Sequence, residues 1–351
     1  MVFNVGVDVS KEALQVHLVR LDAQQATHTV AARTFENRPS AFPAVEKWIN
    51  TYTAHASIPV RVLMEASGVY HERMAMYLLD AGWYVSVILP TKARRYAQSQ
   101  GYLSKTDRID AEGLARMGAH HRLPKWEGIS PFWRTLRSLT RQKQRVDEML
   151  TQVRNQAHTQ GWSLSEDPLV QDHREALLHQ LQQQKAELVQ AIETHLQSRS
   201  AIWAQVENLN AIKGLAVQSI AVLLAETAGF ATFTNPAQLV SYSGYDVVEN
   251  QSGPRHGQTR ISKHGNSHIR RALHFPAFNV VRFKVPVFAQ LWQRIYDRTK
   301  IPMKGYVAVQ KKLLVICYHL WKNNTPFDPD HYHHHRQSMR KASKKVAPAI
   351  R

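Results

Sequence analysis

Four carboxylates are spaced so that an α/β fold would bring them together. Asp8 lies at the end of the apolar run VFNVGVDV (2–9), and Glu65 at the end of VRVLMEA (60–66). Asp107 and Asp110 open a helical stretch at spacing i, i+3, which puts both side chains on one helical face. Clustered carboxylates repel and hold on to protons unless a cation neutralises them. Mg²⁺ takes oxygen ligands, and a pair of such ions about 4 Å apart can activate an attacking oxygen and stabilise a leaving one in phosphoryl transfer. The small neighbours Gly6, Ala66, Ser67 and Gly68 leave room for this. Any one of these acids alone reads as a turn or cap residue, and Asp107 as a group that suits a helix N-terminus.

The elements that must position them follow from periodicity. Strands are expected at 2–9, 13–21, 27–35, 60–66 and 83–89, the last stopped by Pro90. Helices are expected at 39–51, opened by Ser40 and Pro43, at 69–81, ending before Gly82, and at 107–118 with Thr106 as N-cap. A β-meander followed by βαβ crossovers gives an α/β layer with a mixed sheet. With the acids, it suggests a ribonuclease-H-like nuclease or strand-transfer domain. An actin-like kinase opens with a similar strand-Asp pattern but needs Gly-rich phosphate loops, and isolated Gly68 and Gly82 do not form one.

Beyond 128 the pattern turns helical. Ser130 and Pro131 suit a helix start. Leu139, Val146, Leu150, Val153 and Ala157 then follow 3-4 spacing, with Lys143 interrupting. Leu178, Leu181, Leu188 and Ile192 do the same, with Lys185 interrupting. Between them lies a polar stretch with Gly161 and Pro168, so 129–200 is expected to be a coiled-coil-like hairpin. A mainly helical domain is expected over 201–329, with helices at 216–228, from Asn235-Pro236 to Gly244, and at 304–323. The same reading gives an exposed loop at 245–265 and a helix capped by Asn266 and bent at Pro276. From 330 a basic, His-rich tail is expected. His331, His333, His334 and His335 could bind a metal, but no fixed spacing orients them.

The 351 residues carry a net charge of +18, very unevenly placed. Residues 1–250 hold 25 Lys/Arg against 24 Asp/Glu, and residues 251–351 hold 20 against 3. The basic part is punctuated by Trp292, Tyr296, Tyr306, Tyr318 and Trp321. That combination points to a polyanion partner, either nucleic acid or an anionic membrane surface. No apolar run approaches the roughly 20 residues a bilayer requires. The lone Cys317 excludes a disulfide scaffold and a Cys-based zinc site, and it reads as an inert buried thiol. No secretory signal is read at the N-terminus, so a reduced, cytoplasmic protein is expected, with no membrane partner.

Three motifs, GVDVSKE (6–12), MEASGVYH (64–71) and SKTDRIDAEGLA (104–115), resemble the DEDD-type transposases of the insertion-sequence "one-ten" family. Later segments agree: NAIKGLAVQSIAVLLAE (210–226) resembles its helix-hairpin-helix-like stretch, LVSYSGYDVVENQSGPRHGQTRISKHGNSHIRRAL (239–273) its serine-bearing block, and PFDPDHYHH (326–334) its C-terminal end. The resemblance implies a RuvC-like domain over 1–128 and a C-terminal transposase domain. It implies that Asp8, Glu65, Asp107 and Asp110 are the acidic tetrad holding Mg²⁺, and that Ser252 is the nucleophile. It also implies donor and target DNA as substrates, a structured non-coding bridge RNA as guide, and a homo-oligomer (dimer or tetramer) whose subunits share the acidic and serine sites. Where the family commonly has Pro-Gly-Ile-Gly, this chain has Lys213, Gly214, Leu215 and Ala216. The serine loop is about one residue short, which makes Ser262 the alternative nucleophile.

A serine hydroxyl needs activation, and its attack on a phosphodiester would form a covalent protein–DNA ester that conserves the bond energy. Arg255, Arg260, Lys263, His264, Arg270 and Arg271 are the candidates for holding phosphate. Tyr242 and Tyr245 are rival nucleophiles whose apolar neighbours favour packing. The competing readings are a RuvC-like nuclease that hydrolyses DNA with water and a non-enzymatic nucleic-acid scaffold.

Overall fold

The computed structural model describes residues 2–329 apart from 57, 67–68, 102–105, 232, 249–250, 253–254 and 257–259. The histidine cluster at 331–335 lies outside them. The chain divides into two compact units, Met1–Gly128 and Ile129–Arg351.

In the first unit the elements run β1 (Val2–Val9), β2 (Ala13–Leu21), β3 (Thr27–Glu36), α1 (Phe42–Thr53), β4 (Arg61–Glu65), α2 (Glu72–Asp80), β5 (Tyr84–Ile88), α3 (Pro90–Ser99) and α4 (Asp107–His120). The sheet order is β3-β2-β1-β4-β5. The first three strands pair antiparallel, and β1, β4 and β5 pair parallel. This is the ribonuclease-H-like mixed sheet expected from the sequence.

Strand alternation divides the side chains between two layers. Val5, Val7, Leu14, Val16, Val62, Met64 and Val85 face α1 and α2, where they meet Phe42, Val45, Ile49, Met74 and Leu78. On the other face Leu63 and Ile88 pack on Leu114 and Met117 of α4, and Val19 packs near Ala115. Gly6 lets α4 come this close: a Cβ there would sit 2.1 Å from the Ala111 carbonyl oxygen and 2.3 Å from the Ala115 nitrogen. Asn4 adds a hydrogen bond from Nδ2 to the Ala115 carbonyl at 3.0 Å.

Apart from shifts of a residue or two at element ends, the first unit departs from the sequence reading at three places. The stretch expected to be one helix at 39–51 is a 3-10 turn over Pro39–Ala41 and then α1. The helix expected at 69–81 begins at Glu72. Pro90 both stops β5 and takes the first turn of α3, a helix the sequence reading did not include, because proline suits an N-terminal position as well as it breaks a strand.

In the second unit two 30-residue helices, α5 (Pro131–Gln160) and α6 (Pro168–Gln197), form the expected hairpin. Val146, Leu150, Val153 and Leu181 make its seam. The two interrupting lysines meet: Lys143 Nζ and Lys185 Nζ lie 2.8 and 2.7 Å from the two carboxylate oxygens of Asp147. Pro131 opens α5 as expected, but Ser130 makes no side-chain cap bond; Asp167 caps α6 instead, accepting from the Leu169 N–H. The helices α7 (Ser200–Asn210), α8 (Val217–Thr227) and α9 (Pro236–Tyr242) follow.

The expected loop at 245–265 holds four two-residue strands, β6 (Val247–Val248), β7 (Gln251–Ser252), β8 (Arg255–His256) and β9 (Arg260–Ile261). The helix expected to bend at Pro276 is instead broken at Leu273 into α10 (Ser267–Ala272) and α11 (His274–Arg282). Pro276 then lies in the first turn of α11, where its missing N–H costs nothing. Last come α12 (Pro286–Thr299) and α13 (Pro302–Asn323). One core joins the base of the hairpin (Phe132, Leu136) to Ile220, Leu224, Phe230, Tyr245, Phe288, Leu313 and Leu314, with Cys317 fully buried among them.

Candidate functional site

The acidic residues are placed by the sheet. Parallel pairing of β1 with β4 ends at Val7 opposite Met64, so Asp8 and Glu65 are the next step of the same register. Asp8 is two residues on from Gly6, and Glu65 two on from Leu63, and both of those residues face α4. α4 runs antiparallel to β1: Gly118 lies over Asn4, and Ala111 and Ala115 lie over Gly6. The first turn of α4, with Asp107 and Asp110, therefore lies toward the strand end that carries Asp8. Thr106 fixes that turn by accepting a hydrogen bond from the Ile109 N–H at 3.3 Å. Asp107 is exposed, and Asp8, Glu65 and Asp110 are half-buried.

Asp8 and Glu65 thus lie at the C-terminal ends of two adjacent strands, on the face that α4 covers, and Asp107 and Asp110 open that helix. Among the described residues, no three His, Cys, Asp or Glu side chains form a closed metal-binding group. An all-oxygen donor set of this kind suits Mg²⁺, which normally completes its shell with water and substrate phosphate. The sequence reading missed α3, which follows directly from the end of β5 and carries exposed Lys92, Arg94 and Arg95. The signal was present as Pro90 followed by nine residues compatible with helix.

Further in on the same sheet face, His17 pairs with Gly6 in β1 and lies 3.1 Å through Nε2 from Thr29 Oγ1. Burial holds its pKa below the ordinary histidine value.

In the second unit Ser252 belongs to one of two short antiparallel strand pairs, β6 with β9 and β7 with β8, together called the serine ribbon. Val247 and Val248 pair with Ile261 and Arg260, and Gln251 and Ser252 pair with His256 and Arg255. Ser252 is therefore paired with Arg255. The base of the ribbon is tied down by backbone bonds from Ser262 to Asp246 (2.8 Å), Lys263 to Gly244 (3.1 Å) and Asn266 to Tyr242 (2.7 Å). Gly244, at φ +71°, makes that approach possible.

Beneath the base lies a buried acid that sequence reasoning did not single out. Glu226 accepts two hydrogen bonds from Arg141 of α5, at 2.8 and 3.0 Å, and one from Asn266 Nδ2 at 2.7 Å. Burial acts to raise the Glu226 pKa, but the Arg141 bonds and charge and the Asn266 bond outweigh it and hold the group below the ordinary glutamate value. Glu226 sits in an apolar helix, and only folding brings it opposite Arg141. Nearby, His268 Nδ1 lies 2.6 Å from Gln144 Oε1, and Arg271 pairs with Glu148.

The candidate phosphate contacts divide accordingly. Lys263 and His264 are exposed beside the ribbon, Arg260 is on β9 and Arg255 on β8. Arg270 is turned inward, donating to the carbonyls of Ser243 (2.9 Å) and Gly265 (3.3 Å). The side-chain oxygen of Ser262 is buried and has no hydrogen-bond partner among the described residues. Both tyrosines are packing residues: Tyr245 is fully buried, with its hydroxyl donating to Gln310 Oε1 at 3.0 Å, and Tyr242 donates to the Glu226 carbonyl at 3.1 Å. Burial raises the pKa of both phenols.

A ribonuclease-H-like domain with acidic strand ends, joined to a strongly basic helical unit, is the make-up of a nucleic-acid-processing enzyme. The chain belongs to the IS110 transposase family: residues 5–160 match its DEDD transposase domain, and residues 206–293 match the domain described as Transposase IS116/IS110/IS902 family. It is 27% identical over 328 residues to a pilin gene-inverting protein of Moraxella bovis, covering 92% of this chain and 97% of that one. Its counterpart in Moraxella lacunata matches equally, at 27% over 329 residues. Thermus thermophilus RuvC in complex with a Holliday junction substrate aligns with 35% of the chain and 99% of its own length, at 8% identity and TM-score 0.28. Among the described residues no helix is long and apolar enough to cross a membrane.

Proposed function

We propose that this transposase cuts and rejoins DNA by transesterification through Ser252. In this reading the Ser252 Oγ attacks the scissile phosphorus and loses its proton, and the bond to a sugar oxygen breaks. That oxygen leaves as a hydroxyl, and a phosphoserine–DNA ester remains. Attack on this ester by the hydroxyl of another DNA end reverses the step, restores the serine and joins the new strands without ATP. Asp8, Glu65, Asp107 and Asp110 would hold Mg²⁺ with a DNA phosphate. Bound there, the metal would neutralise charge that builds on the phosphorus and the leaving oxygen. Arg255, Arg260, Lys263, His264 and Arg271 would steer the DNA backbone. Arg270 would support them by fixing the ribbon's base. A structured RNA would choose the donor and target sites, and a homo-oligomer would supply the two sites from different subunits.

The observation that carries this reading is the shared face: Asp8 and Glu65 in one register at the end of β1 and β4, with the start of α4 directed toward them. The excess of Lys/Arg beyond residue 250 supports a polyanionic substrate.

The test uses purified protein, Mg²⁺, the element's flanking RNA and end-labelled donor and target DNA. After denaturation, a labelled band at the mass of protein plus DNA is expected with wild type and not with Ser252→Ala. Equal cleavage by both proteins with no such band would leave hydrolysis by water. A band retained in Ser252→Ala and lost in Ser262→Ala would move the nucleophile to Ser262.

A further inference from the structure

From Asn250 to Tyr296 the chain has eight Lys/Arg and no Asp or Glu. In the middle of that stretch Phe275, in the first turn of α11, is 74% exposed, while Ala277 and Val280 of the same helix are fully buried. The ring is braced. His274 meets it edge-on, centroids 5.4 Å apart, and itself rests on Phe278 at 5.0 Å, which stacks on Tyr306 at 3.8 Å. At the other end of α11, Phe283 is also exposed, and Lys213 holds its ammonium 5.2 Å from the Phe283 ring centroid. Exposed Arg282 and Lys284 flank Phe283. The α7–α8 turn packs directly against this helix: a Cβ on Gly214 would lie 2.9 Å from the Asn279 Cβ.

We propose that this face of α11 is a single-strand platform on which Phe275 stacks against an unpaired base of DNA, with Lys213, Arg282 and Lys284 holding the phosphates. The assignment rests on the DNA-processing reading above but not on Ser252. An exposed aromatic ring costs solubility and contributes nothing to the core here, whereas base stacking on such a ring is strong and indifferent to sequence. The eight helical steps from Phe275 to Phe283 span about 12 Å, the reach of a few nucleotides.

The experiment measures binding of the full-length protein to a fluorescent 20-nucleotide oligo-dT by anisotropy, across a salt series. Phe275→Ala is expected to weaken binding about tenfold with the slope against salt unchanged, because no phosphate contact is lost. Phe275→Trp is expected to restore it. Lys284→Ala is expected to lower the salt slope instead. Should the alanine variant melt early, Phe275→Leu, apolar but unable to stack, carries the same expectation. Unaltered affinity in Phe275→Ala overturns the proposal, as does an equal loss on a fully paired duplex. A loss confined to oligo-U would overturn the assignment to DNA. The binding assay contains no Mg²⁺ and no cleavable site, so failure of the serine chemistry and failure of the platform give different results.

Discussion

Asn266 donates from Nδ2 to the buried carboxylate of Glu226 at 2.7 Å, while its side-chain oxygen accepts from the His268 and Ile269 N–H groups at the start of α10. One side chain thereby joins α8, α10 and the base of the Ser252 ribbon. Arg141 extends the joint to the long helix α5 through the same carboxylate.

Removing one partner of that pair leaves a buried charge unmatched. Arg141→Ala is expected to cost about 3 kcal/mol, the low end for such a loss because Arg141 is partly exposed. Urea unfolding followed by tryptophan fluorescence checks this. Wild-type levels of stability would show that Asn266 alone satisfies Glu226.

The same carboxylate gives a pH dependence. Its folded pKa lies below its unfolded one, so its stabilisation is complete above the unfolded value near 4.5 and is lost as pH falls through the folded value. Wild type should lose stability on acidification below pH 4.5 more steeply than Glu226→Gln. Parallel curves of melting temperature against pH would contradict this.

The approach of α4 to β1 depends on a missing side chain. Gly6→Ala puts a methyl into the backbone of Ala111 and Ala115 and must push α4, with Asp107 and Asp110, off the strand. A loss of about 3 kcal/mol or more is expected, with cleavage falling alongside. Gly113→Ala, in the same helix with nothing within 4 Å of the added carbon, should instead stabilise by about 1 kcal/mol. Thermal melts of the two variants separate a specific contact from a general intolerance of alanine.

Neutralising the acids should divide chemistry from binding. Asp8→Asn and Glu65→Gln are each expected to reduce DNA cleavage about a hundredfold or more while leaving DNA affinity within about twofold. Cleavage and anisotropy assays on the same preparations decide it, and retained cleavage in both variants would remove the tetrad from the mechanism.

Cys317 is fully buried, and burial pushes its thiol up to about 12. It should resist a thiol reagent at pH 8 for as long as the protein stays folded, and react once urea unfolds the second unit. Rapid labelling of native protein would mean that the core around α13 opens readily.

What could be read from the residues beforehand was what local chemistry dictates. The β-branched runs of β1 and β4 gave two acidic strand ends, and Thr106 marked the start of α4, so the acidic edge was legible in outline. Glu226 was not, because nothing within 216–228 distinguishes a buried ion pair from a solvent-facing acid, and its partner lies 85 residues away. The segment around Ser252 reads as a loop because its strands are only two residues long and lie among turn-forming residues. The single strand-stopping role given to Pro90 hid α3. Lys143 and Lys185 looked like flaws in the apolar stripes of α5 and α6. Only the pairing of the two helices shows that they face the same acid.

That last arrangement has a mechanical consequence. Two helices of 30 residues make an arm about 45 Å long. Asp147 holds Lys143 of its own helix and Lys185 of the other, so sliding one helix past the other by a turn would take Lys185 away from the acid and would also offset the apolar seam of Val146, Leu150, Val153 and Leu181. The cross-helix pair and the seam together fix the register of the two helices, so the length of the arm is set by its own sequence, as on a ruler.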